Sequence, residues 1–266
     1  MHEQVTITLK NRLAELERVA TAVAAFAERQ KLSTKVTFDV SLALDEVLTN
    51  VIRYAYERDG EHEITVRLVR DGAELTIETE DDGRAFDPLA ISVPDLASPL
   101  AERRIGGLGM HLVRSVMDHL EYVRRDGKNV LRMAKRLESP DSTAAAGATA
   151  DLKITETRTD DGVVVLEVAG RLHGRNAERL EETLLAAIAA GGSRIVLDVA
   201  ALDYFGSAGL RVLLVTAKRL RETGAIALAS PKDFIRSVID VAGLGSIVTI
   251  HTDRSSAIAH LRKART

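Results

Sequence analysis

Residues 43–56, ALDEVLTNVIRYAY, carry the pattern that organises the first half of this chain. Leu44, Val47, Leu48, Val51 and Ile52 recur at spacings of three and four and share one helical face. With Ser33 as N-cap, the helix extends over 33–57. Asp39, Glu46, Asn50 and Arg53 fall on the other face at spacings of seven, four and three, so Glu46 and Asn50 stack one turn apart. A carboxylate and an amide so placed suit a polyphosphate. The amide oxygen can ligate Mg²⁺, and the carboxylate can orient or deprotonate a nucleophile. Taken alone, the pair is also the mark of an ordinary solvated helix face.

Before this helix, residues 5–9 alternate as a strand and 12–29 read as a helix. After it, 64–69 and 74–80 alternate and are joined by Arg70-Asp71-Gly72-Ala73, where Asp-Gly signals a hairpin. A polar stretch over 82–105 lacks periodicity. Residues 108–118 read as a helix, and 121–125 and 129–135 form a second hairpin across Asp126-Gly127. Helices layered on one face of an antiparallel-rich sheet give an α/β domain with α+β layering.

Two more polar elements interrupt this pattern. Asp81-Asp82-Gly83-Arg84-Ala85-Phe86-Asp87-Pro88 follows a strand and reads on its own as a turn. Asp81 at a strand end can also accept a hydrogen bond from an exocyclic amine such as that of adenine, with Gly83 permitting close backbone approach. Arg103-Arg104-Ile105-Gly106-Gly107-Leu108-Gly109-Met110 leads straight into an apolar helix. Glycines there expose N–H groups to an anion such as phosphate, or serve as a flexible, capping hinge. A Rossmann fingerprint fails because Leu112 stands where glycine is needed, and no glycine precedes Lys-Ser or Lys-Thr as in a Walker loop.

Residues 138–150, ESPDSTAAAGATA, have no apolar periodicity and read as a linker between two domains, 1–137 and 151–266. In the second, strands over 153–158, 163–168, 194–199, 225–229 and 247–250 alternate with helices over 176–190, 207–222 and 232–241 and a final helix, a small α/β domain. If flexible, the linker spans on the order of 20 Å, which allows the domains to meet in cis.

With 266 residues, 45% hydrophobic and 28% charged, the composition is that of a globular protein long enough for two cores. The absence of cysteine excludes disulfides, thiolate metal sites and a Cys nucleophile. A formal charge of −3 and 3% aromatics argue against a nucleic-acid binder. No apolar run suits a membrane span and the N-terminus lacks a signal-peptide pattern, so a cytoplasmic protein is expected. The seven histidines show no compact ligand spacing.

In order, Glu46-x-x-x-Asn50, Asp81-x-Gly83 and Gly106-Gly107-x-Gly109 resemble the three-box pattern of the GHKL ATPases, the superfamily of gyrase and the histidine kinases. ALDEVLTNVIRYAY and DDGRAFDP are similar to its short form, the anti-sigma-factor serine kinases of bacterial partner switching, over residues 5–137. The resemblance implies a Bergerat-type ATP-binding sandwich using ATP and Mg²⁺. It makes Glu46 the general base, Asn50 the Mg²⁺ ligand and Asp81 the reader of adenine, with Gly83, Gly106, Gly107 and Gly109 in the ATP site and 89–105 as lid. Two positions depart from the family pattern. Ala85 stands where a second glycine is common, and Asn129 where a threonine often begins the last strand. The lone early histidine, His2, gives no phosphoacceptor for a histidine kinase.

Residues 194–213, with Gly206-Ser207-Ala208-Gly209 at their centre, resemble the STAS domain of anti-sigma-factor antagonists, a likeness covering 152–262. Ser207 matches the serine those proteins have phosphorylated, and Gly206 replaces the aspartate of their usual Asp-Ser-Ser-Gly. Without the resemblance, Ser207 reads as a helix N-cap. A nucleophile elbow is excluded by Phe205. Partners implied by the resemblance are a sigma factor, separate STAS antagonists, a serine phosphatase and a second copy of the chain. A binding module that holds ATP without transferring phosphate, or a partner switch acting on a non-sigma target, is the alternative.

Overall fold

The computed structural model describes residues 3–56, 60–90, 108–137 and 151–263. They form two compact units, the first holding the described residues of 3–90 and 109–137 and the second those of 151–263 together with Leu108.

In the first unit, strands β1 (Glu3–Lys10), β2 (Glu63–Asp71), β3 (Glu74–Asp81), β4 (His119–Arg125) and β5 (Lys128–Arg136) form one antiparallel sheet in the order β1-β2-β3-β5-β4. The first hairpin turns at Gly72-Ala73, one residue past its Asp-Gly start, and the second at Asp126-Gly127 itself. Asp126 and Gly127 have φ of 52° and 77°, the double positive φ that a two-residue hairpin of right-handed twist requires. Helices α1 (Leu16–Gln30), α2 (Thr34–Tyr54) and α3 (Leu108–Val116) pack on the sheet around a core that includes Phe26, Leu44, Leu48, Ile64, Leu68, Leu75, Ile77 and Met133. Ser33 caps α2 as expected, its side chain accepting from Val36 N at 3.2 Å. The helix expected from residue 12 starts with a 3-10 turn, Leu13–Glu15, before α1.

The polar face of α2 is buried at Asp39 and Glu46, part-buried at Asn50 and exposed at Arg53. Asp39 is 5% exposed and Glu46 6%, because α3 and β5 cover that side of the helix. Asp39 Oδ2 takes ion pairs from the buried Lys135 on β5 and from Lys35, each at 2.9 Å, while Lys135 Nζ also donates to Val116 O at 2.6 Å. Removing one member of a buried pair strands the other charge. We expect Asp39→Ala to cost about 2–3 kcal/mol in chemical unfolding, below the ~3–5 kcal/mol typical of such deletions because Lys135 keeps a carbonyl partner. Lys135→Met should cost less, since Asp39 retains Lys35.

In the second unit, β6 (Lys153–Arg158), β7 (Val164–Leu172), β8 (Arg194–Asp198), β10 (Ala225–Ala229) and β11 (Thr249–His251) lie in the order β11-β10-β8-β7-β6, parallel except for β6. The strand β9 (Leu202–Phe205), which the sequence pattern does not disclose, pairs with the end of β7. Helices α4 (Ala177–Ala189), α5 (Ser207–Leu220), α6 (Asp233–Val241) and α7 (Arg254–Lys263) alternate with the strands. Gly206, not Ser207, is the N-cap of α5. Asn176 precedes α4 without capping it, because its side chain bonds Arg171 O and His173 N instead.

Candidate active site

In the first unit, a cavity opens between α2, the end of β3, β5 and α3. Val47, Val51, Met110 and Leu131 supply apolar walls, and Asn50, Asp81 and Asn129 supply polar groups. Tyr54 and Phe86, 60% and 49% exposed, line its open side. Mostly apolar walls with a few convergent polar groups are the normal chemistry of small-ligand sites.

Asp81 ends β3 and is buried. Its Oδ1 accepts from Gly83 N and from Asn129 Nδ2, both at 2.9 Å, and no hydrogen bond from a described residue reaches Oδ2. Burial raises the Asp81 carboxyl above the usual carboxylate range. The bonds from Asn129 and Gly83 and the charge of Arg124 act the other way, and Asp82 adds to the rise. Gly83 packs against the end of α2: a Cβ there would lie 2.6 Å from Ala55 Cβ and 2.8 Å from Ala55 O. Its smallness therefore seats the turn on the helix, a different use from the backbone approach to a ligand that the sequence suggests.

Glu46 and Asn50 stand one turn apart on α2 as the spacing predicts. Asn50 lines the cavity, and Glu46 lies one turn further back against α3. A Cβ on Gly109 would fall 2.2 Å from Glu46 Oε2, so a side chain there would displace the carboxylate from its place against the start of α3. The structure thus brings Asn50, Asp81 and Asn129 to one cavity and Glu46 with Gly109 beside it. Gly106, Gly107 and nearly all of the expected lid lie outside the described residues.

Sequence reasoning flagged Asn129 only as a departure and passed over Arg124 and Tyr122. Asn129 Oδ1 accepts from Tyr122 OH at 2.8 Å and from Arg124 at 2.6 Å, and its Nδ2 donates to Arg84 O at 3.0 Å as well as to Asp81. Arg124 also donates to Gly83 O at 2.9 Å. Tyr56 stacks on His62 with ring centroids 4.2 Å apart, and His62 Nδ1 lies 3.1 Å from Asp82 Oδ1. Burial, with the carboxylates of Asp81 and Asp82, pushes the Tyr56 phenol well above its ordinary value.

In the second unit Ser207 is half-buried at the first turn of α5. Gly206 N donates to Leu172 O at 2.9 Å, which ties that turn to the end of β7. A Cβ on Gly209 would lie 2.6 Å from Leu172 Cδ2, so the glycine two residues after Ser207 allows α5 to pack on the strand.

Residues 9–135 match the family described as histidine kinase-like ATPase domain, and residues 155–257 match the STAS domain. The serine/threonine-protein kinase BtrW of Bordetella bronchiseptica is 33% identical over 116 residues, 44% of this chain and 81% of that protein. BtrV of the same organism, named as an anti-sigma factor antagonist, is 38% identical over 114 residues, 42% of this chain and 97% of that protein. The chain belongs to the partner-switching family, a histidine kinase-like ATPase domain fused to a STAS domain. A crystal structure of an anti-sigma factor antagonist from Mycobacterium paratuberculosis matches 42% of this partner-switching chain and 95% of its own, at 26% identity and a TM-score of 0.40. Among the described residues of this partner-switching protein, no helix is long and apolar enough to cross a membrane.

The cavity of the ATPase domain fits an adenine nucleotide: Asp81 offers an acceptor with one oxygen uncommitted, and the walls are apolar. Its donor set also fits Mg²⁺ in the form that ion takes with nucleotides. No group of three acidic or histidine side chains forms a cage among the described residues, and Mg²⁺ beside phosphates needs only one or two protein ligands, such as the Asn50 amide.

Proposed function

We propose that the N-terminal domain, residues 1–137, is an ATP-dependent serine kinase joined by the 138–150 linker to a STAS domain of the type it phosphorylates. The observation that carries this reading is the convergence of Asp81 and Asn50 on one cavity with Glu46 immediately beside it. Asp81 holds the adenine amine, and Asn50 would hold Mg²⁺, which would neutralise charge on the phosphates. Glu46 takes the proton of the serine hydroxyl as its oxygen bonds the γ-phosphorus and ADP leaves with the bridging oxygen. Positioning and electrostatics then supply the rate, as phosphoryl transfer requires. The acceptor is Ser207 or its counterpart on a separate antagonist. The added phosphate brings about −1.5 to −2 charge to a helix N-terminus that tolerates it, while repelling an acidic partner surface.

The names of the relatives support the regulatory side: an antagonist for one half, a kinase for the other. We infer that unphosphorylated STAS competes with a sigma factor for the kinase domain, and that a serine phosphatase resets the switch. Intact-mass spectrometry of the full chain with Mg·ATP tests the chemistry. Wild type should gain one phosphate and Ser207→Ala none. A gain seen only on an added STAS antagonist would assign the kinase to separate substrates, and transfer to neither would overturn the kinase reading.

A further inference from the structure

Asn129 has no valence left for a ligand. Its two amide hydrogens go to Asp81 Oδ1 and Arg84 O, and its oxygen accepts from both Tyr122 and Arg124. These partners also fix the amide's orientation, because the reverse would set its NH₂ against the guanidinium. A hydroxyl at this position has one hydrogen and could not bridge Asp81 and Arg84 together. Arg124 makes the bridge tighter still, spanning from β4 to both Asn129 Oδ1 and Gly83 O and so joining β5 to the turn that follows Asp81.

We propose that Asn129, braced by Arg124, is a positioning residue that sets nucleobase choice: it saturates one oxygen of Asp81 and fixes the other as a single acceptor for an exocyclic amine. This rests on the reading of the cavity as an ATP site. With Asn129 in place, a base carrying a carbonyl where adenine carries its amine meets an acceptor with an acceptor. Without it, Asp81 can rotate, and its carboxyl gains a proton more readily because a donor that favours the charged form is gone. A protonated carboxyl can donate to a carbonyl, so discrimination collapses. Among the described residues, the charged and titratable groups around Asp81 are Asp82, Arg124 and the Tyr56 phenol, with His62 paired to Asp82 and Arg84 lining the same cavity.

Calorimetric titration of the full chain with ATP and with ITP, which carries a carbonyl in place of the amine, tests this. Wild type should favour ATP by at least tenfold. Asn129→Leu should bring the ratio below threefold, mainly through loss of ATP affinity, and the ratio should narrow further as the pH is lowered from 8 to 6. Arg124→Gln, at an exposed edge-strand position, should fall between the two and serves if Asn129→Leu does not fold. A merely structural role would weaken both nucleotides alike. An unchanged ATP-to-ITP ratio in the folded variants would overturn the proposal. Wild type that binds ATP and ITP equally would overturn it too, and wild type that binds neither would instead overturn the ATP reading itself.

Discussion

Asp81→Asn weakens ATP binding by about 100-fold or more, as expected when a charge-assisted acceptor is exchanged for a donor facing a donor in a buried site. The variant's amide oxygen keeps the bonds from Gly83 N and Asn129 Nδ2 that Oδ1 accepts now. Its NH₂ then takes the position of Oδ2 and faces the exocyclic amine of adenine. For ITP the same NH₂ meets a carbonyl, so the preference should invert, which a general loss of fold would not produce. Stability should move the opposite way. The native carboxyl sits above its unfolded value, chiefly through burial. A raised carboxyl contributes fully to stability below about pH 4 and loses that contribution as the pH rises through its native value. The amide variant escapes this loss, so its unfolding midpoint should exceed that of wild type at pH 7 and the gain should fade toward pH 4. Retained ATP affinity in Asp81→Asn would remove this carboxylate from base recognition.

The strands and both hairpins of the first domain were legible because period-2 alternation and Asp-Gly turns are local signals, and the turn at Asp126-Gly127 adopts the backbone that its residues favour, whereas the pairings of β1 with β2 and β3 with β5 that set the sheet order are long-range. The geometry of the α2 face was legible, whereas its environment was not. Periodicity shows that Asp39, Glu46 and Asn50 share a direction, but which element covers them is a tertiary fact, and the ion pair between Asp39 and Lys135 joins residues 96 positions apart. β9 was missed because four residues between a turn and a helix give no period, and its pairing with β7 is parallel and distant. Asn50 and Asp81, which the fold brings to one cavity, stood out in the sequence as candidates, whereas the Asn129–Arg124 clamp did not. Arg124 reads as one more charge on an exposed hairpin, and only the pairing of β4 with β5 brings its guanidinium to Gly83 O.

Glu46→Gln slows phosphoryl transfer to a STAS serine by about 10²–10⁴-fold, the range that a positioned general base contributes. The exchange preserves shape. Glu46 is 6% exposed, and its Oε2 fills the space that a side chain at 109 would need, so a shorter residue would open a gap beneath α3 while glutamine leaves none. What glutamine cannot do is accept the hydroxyl proton as the phosphorus–oxygen bond forms. The adenine end of the cavity is built from other residues, Asp81 with Asn129 and Arg124, so ATP affinity should stay within about threefold of wild type, well under the ~1.4 kcal/mol of a tenfold change. A rate defect without a binding defect is the signature of a group acting only in the transition state. Calorimetry with ATP, run beside a timed phosphorylation assay, separates the two quantities. Near-normal transfer by a folded Glu46→Gln chain would take Glu46 out of the chemistry and leave the carboxylate a packing role beneath Gly109, whereas equal losses of binding and rate would make it a structural support of the nucleotide site.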